Sequence, residues 1–163
     1  MSKHIIYNFN KTSNIKNWVV VDDIVMGGKS IGTFELSEEG NGIFKGNVSL
    51  ENNGGFSSVK YKFSKIHIEN ATVIILRIKG DGKIYQFRLK ANSVDKHSYI
   101  TKFSTTYEWQ EIEIPIQNMY PSFRGKKLNI PNFSEEYVEE IAFLIANKSD
   151  ESFELAIDSI ELK

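Results

Sequence analysis

Apolar and polar residues alternate with a period of two along most of this chain. Phe44, Gly46, Val48 and Leu50 fall on one side of a segment whose other side carries Lys45, Asn47 and Ser49. Tyr85, Phe87 and Leu89 likewise oppose Ile84, Gln86, Arg88 and Lys90. Such alternation places successive side chains on opposite faces of a strand, one for a core and one for water. Trp18–Asp22 and residues 71–79 are apolar almost throughout, which suits buried strands. Segments 5–9, 30–37, 56–63, 99–105, 109–114, 141–147 and 153–162 complete the strand set. Turn residues separate them, as in Glu38-Glu-Gly-Asn-Gly42 and Gly80-Asp-Gly82. Pro115 and Pro121 are expected to interrupt pairing, and residues 120–133 to form a long irregular connection. Ser134, followed by Glu135 and Glu136, is the one short helix start. Strands at hairpin spacing without alternating helices predict an all-β fold, an antiparallel β-sandwich or jelly roll, with residues 1–163 as one domain.

Composition narrows the function more than the fold. A chain of 163 residues can bury roughly 68–70% of its unfolded surface, so its core needs no staple. It has no cysteine, which excludes disulfides, zinc-thiolate sites and cysteine nucleophiles. Lys+Arg 20 against Asp+Glu 21 gives a formal charge of −1, without the basic excess of a nucleic-acid binder. No segment has the length of a transmembrane helix. The N-terminus shows neither a signal-peptide apolar run nor an Arg-rich transit sequence, so a cytoplasmic location is expected.

The most information-rich stretch runs from Trp18 through Asp22-Asp-Ile-Val-Met-Gly-Gly-Lys-Ser30. Within it, Gly28-Lys-Ser-Ile-Gly32 matches a nucleophile elbow, which would make Ser30 a hydrolase serine. That motif works at a strand-to-helix turn above a parallel sheet, and here strand alternation follows instead. The same residues look like the end of a phosphate loop, but Asp23 stands where the first glycine belongs and would repel phosphate. His4, His67 and His97 lack metal spacing, and Asp95 with His97 reads as a surface pair. Asp22 and Asp23 point to opposite faces of a strand and cannot form an acid/base pair alone; one of them could cap the following turn. The expectation is therefore a non-enzymatic protein.

Binding candidates remain. Arg88 and Lys90 share a strand face, and Tyr107 and Trp109 follow shortly, a set that could line a polar-aromatic face for a sugar or a peptide. Asp22, Asp23, Ser30, Asn52 and Asn53 are the polar residues of the two glycine-rich stretches. Trp18 and Met26 read as core. Asp158 is a weak candidate ligand for a structural Ca²⁺; no other cofactor is expected.

Trp18…Asp22-Asp-Ile-Val-Met-Gly-Gly-Lys-Ser30, followed by Phe44-Lys-Gly46 and Leu50-Glu-Asn-Asn-Gly-Gly-Phe-Ser-Ser-Val59, resembles the signature blocks of the complex I intermediate-associated protein 30 family. Gly80-Asp-Gly82 with Tyr85 and Arg88, Trp109-Gln, Ile114-Pro115, Phe123-Arg-Gly125 and Phe153…Leu155…Ile157-Asp-Ser-Ile160 extend the resemblance over nearly the whole chain. It implies a galactose-binding-like β-sandwich and a non-catalytic, chaperone-like assembly role. The implied partner is a protein, in particular a subunit of a respiratory complex; a carbohydrate is the alternative.

Overall fold

The computed structural model describes residues 4–68 and 71–163, without the side chains of Val25, Met26 and Asn53. Met26 as a core residue and Asn53 as a site residue thus lie outside the described residues. The strands are β1 (His4–Asn8), β2 (Trp18–Asp22), β3 (Ile31–Leu36), β4 (Gly42–Val48), β5 (Ser57–His67), β6 (Val73–Lys79) and β7 (Ile84–Lys90). They continue with β8 (Ser98–Ser104), β9 (Trp109–Pro115), β10 (Tyr120–Phe123), β11 (Lys126–Lys127), β12 (Tyr137–Ile145) and β13 (Glu151–Leu162). Three 3-10 turns, Asp23–Met26, Glu51–Asn53 and Ile116–Asn118, are the remaining regular elements. Among the described residues no helix is long and apolar enough to cross a membrane.

The strands form two antiparallel sheets, in the orders β3-β4-β13-β6-β9 and β11-β10-β8-β7-β12-β5-β2. β1 lies beside the C-terminal half of β13, continuing the line of β4 on the same side. The inward faces follow the alternation of the sequence. Ile74, Leu76 and Ile78 of β6 and Leu155 and Ile157 of β13 meet Tyr85, Phe87 and Leu89 of β7 and Ile141 and Phe143 of β12. Each of these is almost wholly removed from water. Burial of this kind stabilises by about 25 cal/mol per Å² of apolar surface. The Tyr85 hydroxyl enters this core because Asp81 accepts its hydrogen bond at 3.0 Å; burial first, and then that carboxylate, push the phenol well above its ordinary pKa.

Three expectations need correction. Residues 134–138 form no helix: Tyr137 begins β12, opposite His67 of β5. Two acids after a serine are a local cap signal, and the pairing of an apolar strand across the sheet overrides it. Nor is 120–133 irregular throughout, since β10 and β11 lie inside it. Pro121 pairs with Tyr99 rather than ending the strand. Its carbonyl accepts from Leu128 N–H at 3.0 Å. Carbonyl and amide of one strand residue point the same way, so the absent donor faces the two-residue β11 rather than β8.

Candidate binding face

The two glycine-rich stretches meet where β2 of one sheet passes over to β3 of the other. Asp22 and Asp23 divide between them because β2 ends at Asp22 and a 3-10 turn begins at Asp23. The Asp22 carboxylate accepts from Gly32 N–H at 2.9 Å and from the Ser57 hydroxyl at 2.5 Å. Asp23 Oδ1 accepts from Ser30 N–H at 2.9 Å. Its Oδ2 accepts from Ser30 Oγ at 2.5 Å, Gly55 N–H at 2.6 Å and Phe56 N–H at 3.2 Å. Two glycines owe their identity to this carboxylate. A Cβ on Gly54 would stand 2.5 Å from Asp23 Oδ2, and one on Gly28 would overlap its carboxyl carbon.

Asp23 has no solvent-accessible surface, and the backbone of Gly28 and Gly54 packs directly against its carboxyl group. Burial pushes its pKa up; the hydrogen bonds from Ser30, Gly55 and Phe56 outweigh that and hold the carboxyl below the usual 3.8. Ser30, 2% exposed, spends its only hydroxyl proton on Asp23 and accepts from Ser49 N–H at 2.9 Å. Asp23 and Ser30 are thus sealed inside, and Asp22 is half-buried. Asn52 is exposed, with a left-handed backbone (φ 55°) that asparagine tolerates better than most residues. Trp18 is buried, stacked between Phe34 (5.1 Å) and Tyr61 (4.9 Å).

Arg88 and Trp109 do not share a face. Arg88 stands in β7 of the seven-stranded sheet; Trp109 opens β9, the edge strand of the other. Trp109, 36% exposed, packs under the Arg77 guanidinium at 5.3 Å, and Tyr107 lies 73% exposed over the Gly82 turn. Counting along the sequence placed Trp109 near Arg88, but consecutive strands here cross between sheets. The Asp158 carboxylate is engaged by Asn41 Nδ2 at 3.2 Å and Arg77 Nε at 3.4 Å. Among the described residues no group of three or more His, Asp or Glu side chains gathers.

What does assemble around Arg88 is the outer face of the seven-stranded sheet. Strand register places Val19, Lys60, Ala142, Arg88, Ile100 and Tyr120 in one row across six strands. A second row holds Val21, Ser58, Leu144, Gln86 and Lys102, and a third Lys62, Glu140 and Lys90. Lys127, opposite Ser122, reaches over the Tyr120 ring at 5.6 Å. Six cations therefore share this face with one carboxylate, Glu140; Glu139, at the adjoining bulge, is turned to Ser93 N–H at 2.6 Å. Gln86 Oε1 accepts from Arg88 Nη2 at 2.8 Å and Nε at 3.1 Å, holding the guanidinium in place. Burial pushes Arg88 down from its ordinary pKa, with Tyr120 acting weakly the other way. Lys90 Nζ donates to the Asp95 carbonyl at 2.7 Å. The sequence alternation puts Arg88 and Lys90 on one strand face but carries no signal for Tyr120 or the lysines of β5 and β8. Only strand order brings those into the row.

Comparison with known proteins identifies the family. The family model for complex I intermediate-associated protein 30 matches residues 7–157. The chain belongs to the complex I intermediate-associated protein 30 family. The mitochondrial proteins of that name from Drosophila melanogaster and Mus musculus are 23% and 20% identical to it, over 98% and 96% of this chain. The chain spans 62% and 55% of the length of these relatives. Both family members are named as mitochondrial, which overturns the expectation of a cytoplasmic location. Among solved structures, the family 11 carbohydrate-binding module of Clostridium thermocellum, in complex with a β-1,3-1,4-mixed-linked tetrasaccharide, superposes with a TM-score of 0.72. It is 15% identical, and the match covers 98% of this chain and 94% of the module. A family 29 carbohydrate-binding module is 11% identical, with a TM-score of 0.55. These likenesses show that the chain has the fold of these modules, in agreement with the antiparallel β-sandwich read from the sequence.

Proposed function

We propose that the chain is a non-catalytic binding module that holds a protein partner during assembly of respiratory complex I. The observation that carries this reading is the family match over residues 7–157, almost the whole sandwich. The geometry agrees with it. The serine that could have served a hydrolase is enclosed by Asp23 and Ser49, while the outer face of the seven-stranded sheet exposes Val19, Lys62 and Lys102. Cells deprived of the chain are expected to accumulate incomplete complex I on native gels and to recover the full complex when it is restored. Unchanged complex I in the deprived cells would refute the reading.

A carbohydrate-binding reading rests on the fold shared with the family 11 module and on Tyr120 beside Arg88, a ring that could stack on a sugar. Fold alone is a weak warrant, since one sandwich serves many ligands. Calorimetric titration with the mixed-linkage tetrasaccharide tests it, and heat below detection at millimolar sugar would remove it.

A further inference from the structure

We propose that the outer face of the seven-stranded sheet docks an extended acidic peptide segment of the partner protein, with Arg88 as its central anchor. The proposal deepens the assembly reading and rests on it for the partner being a protein. Charge is the first ground. The chain carries a formal charge of −1, yet six cations face outward here beside Glu140, so the rest of the surface is net negative. A face so polarised attracts carboxylates and speeds their approach. The second ground is Arg88 itself. It is largely withdrawn from water, and among the described residues none of the ion pairs involves it; its partner is the neutral Gln86. An unpaired, desolvated guanidinium is unfavourable for the free protein. A carboxylate arriving at the open side of the Gln86-braced fork would restore its balance with charge-assisted hydrogen bonds.

Shape gives the length. Six strands set about 4.8 Å apart make the Arg88 row roughly 24 Å wide, which about seven extended residues would cross. In an extended peptide alternate side chains face the sheet. The acidic residues, all on the facing side, would meet Lys60 and Arg88 of the row and Lys102 of the row beside it, while the apolar ones point away from the sheet.

The test uses the full chain and a fluorescein-labelled nine-residue peptide of alternating Asp and Leu, read by anisotropy. The Asp peptide should bind, its Lys-for-Asp counterpart should not, and added salt should weaken the complex. Arg88→Gln should weaken binding about tenfold and Lys60→Gln about threefold, while Trp109→Ala, on the other sheet, should leave it unchanged. Should Arg88→Gln fail to fold, the Lys60→Gln/Lys102→Gln pair of outward-facing substitutions carries the same expectation. Equal binding of the two peptides, or binding of neither at millimolar protein, overturns the proposal. Arg88-dependent binding of the mixed-linkage tetrasaccharide in place of the peptide also overturns it, in favour of a glycan face. In cells, full restoration of complex I by Arg88→Gln would refute this surface and leave the assembly reading standing. Intact complex I without the chain would refute the assembly reading, with the peptide titration still deciding the surface.

Discussion

Removing the Asp23 carboxylate would orphan four donors at once: Ser30 N–H, Ser30 O–H, Gly55 N–H and Phe56 N–H. Hydrogen bonds to a charged acceptor contribute about 1.5–3 kcal/mol each, and buried donors left unmet add a penalty. Since these four are coupled through one group, Asp23→Ala is expected to cost about 3–5 kcal/mol in urea denaturation. The pH dependence has a definite sign. The folded carboxyl titrates below its unfolded value of 3.8, so its contribution is complete above that pH and is lost as pH falls through the lower folded value. The stability gap between wild type and Asp23→Asn should therefore be flat near neutrality and close below pH 3.8. A gap that widened on acidification would contradict the ionised latch. The sequence already suggested a capping role for one of these aspartates. It could not say which, because only the folded chain shows Phe56 N–H arriving from 33 positions away.

At the scale of elements, β13 shows how a bulge keeps a strand in phase despite one extra residue. Ile157 and Ile160 are both fully buried although alternation would set them on opposite faces. A bulge between Ile157 and Ser159 absorbs Asp158 and returns the strand to register. Deleting Asp158 should therefore leave Ile157, Ser159 and Ile160 alternating regularly opposite Ile78, Arg77 and Leu76, and near-UV circular dichroism should keep its fixed aromatic signal. Asp158→Ala keeps the backbone and removes only the half-exposed contacts to Arg77 and Asn41, so a loss of about 1 kcal/mol or less is expected. Loss of that aromatic signal on deletion of Asp158 would refute the bulge argument. The strands themselves were largely legible, because a face buried against another sheet imposes a period of two on the residues. Short elements were not: β10 and β11 offer too few residues to show alternation. Strand order was not legible either. Arg88 and Trp109 are separated by a crossover that no local pattern encodes.

At the scale of the molecule, the two sheets meet along one side where β2 and β3 are each the last strand of their sheet. No ladder joins these edges. Asp22, from β2, instead reaches Gly32 of β3 and Ser57 of β5, while Asp23 ties Ser30 to the Gly55-Phe56 backbone. The two glycine blocks thus have a mechanical reading: side-chain carboxylates supply the acceptors that a paired strand would otherwise give. An edge closed in this way should open independently of the rest, since the central strands β6, β7, β12 and β13 hold the core without it. Hydrogen exchange provides the test. In Asp22→Ala the Gly32 amide should lose protection, and in Asp23→Ala the amides of Ser30, Gly55 and Phe56 should, under conditions where Leu76 and Phe143 still exchange only through global unfolding. If protection fell equally at the edge and at the centre, the latch would be an inseparable part of the cooperative core. If it fell at the edge alone, the sandwich would possess a seam that can part beside its uncovered face, bounded there by Val19 and Val21 of β2.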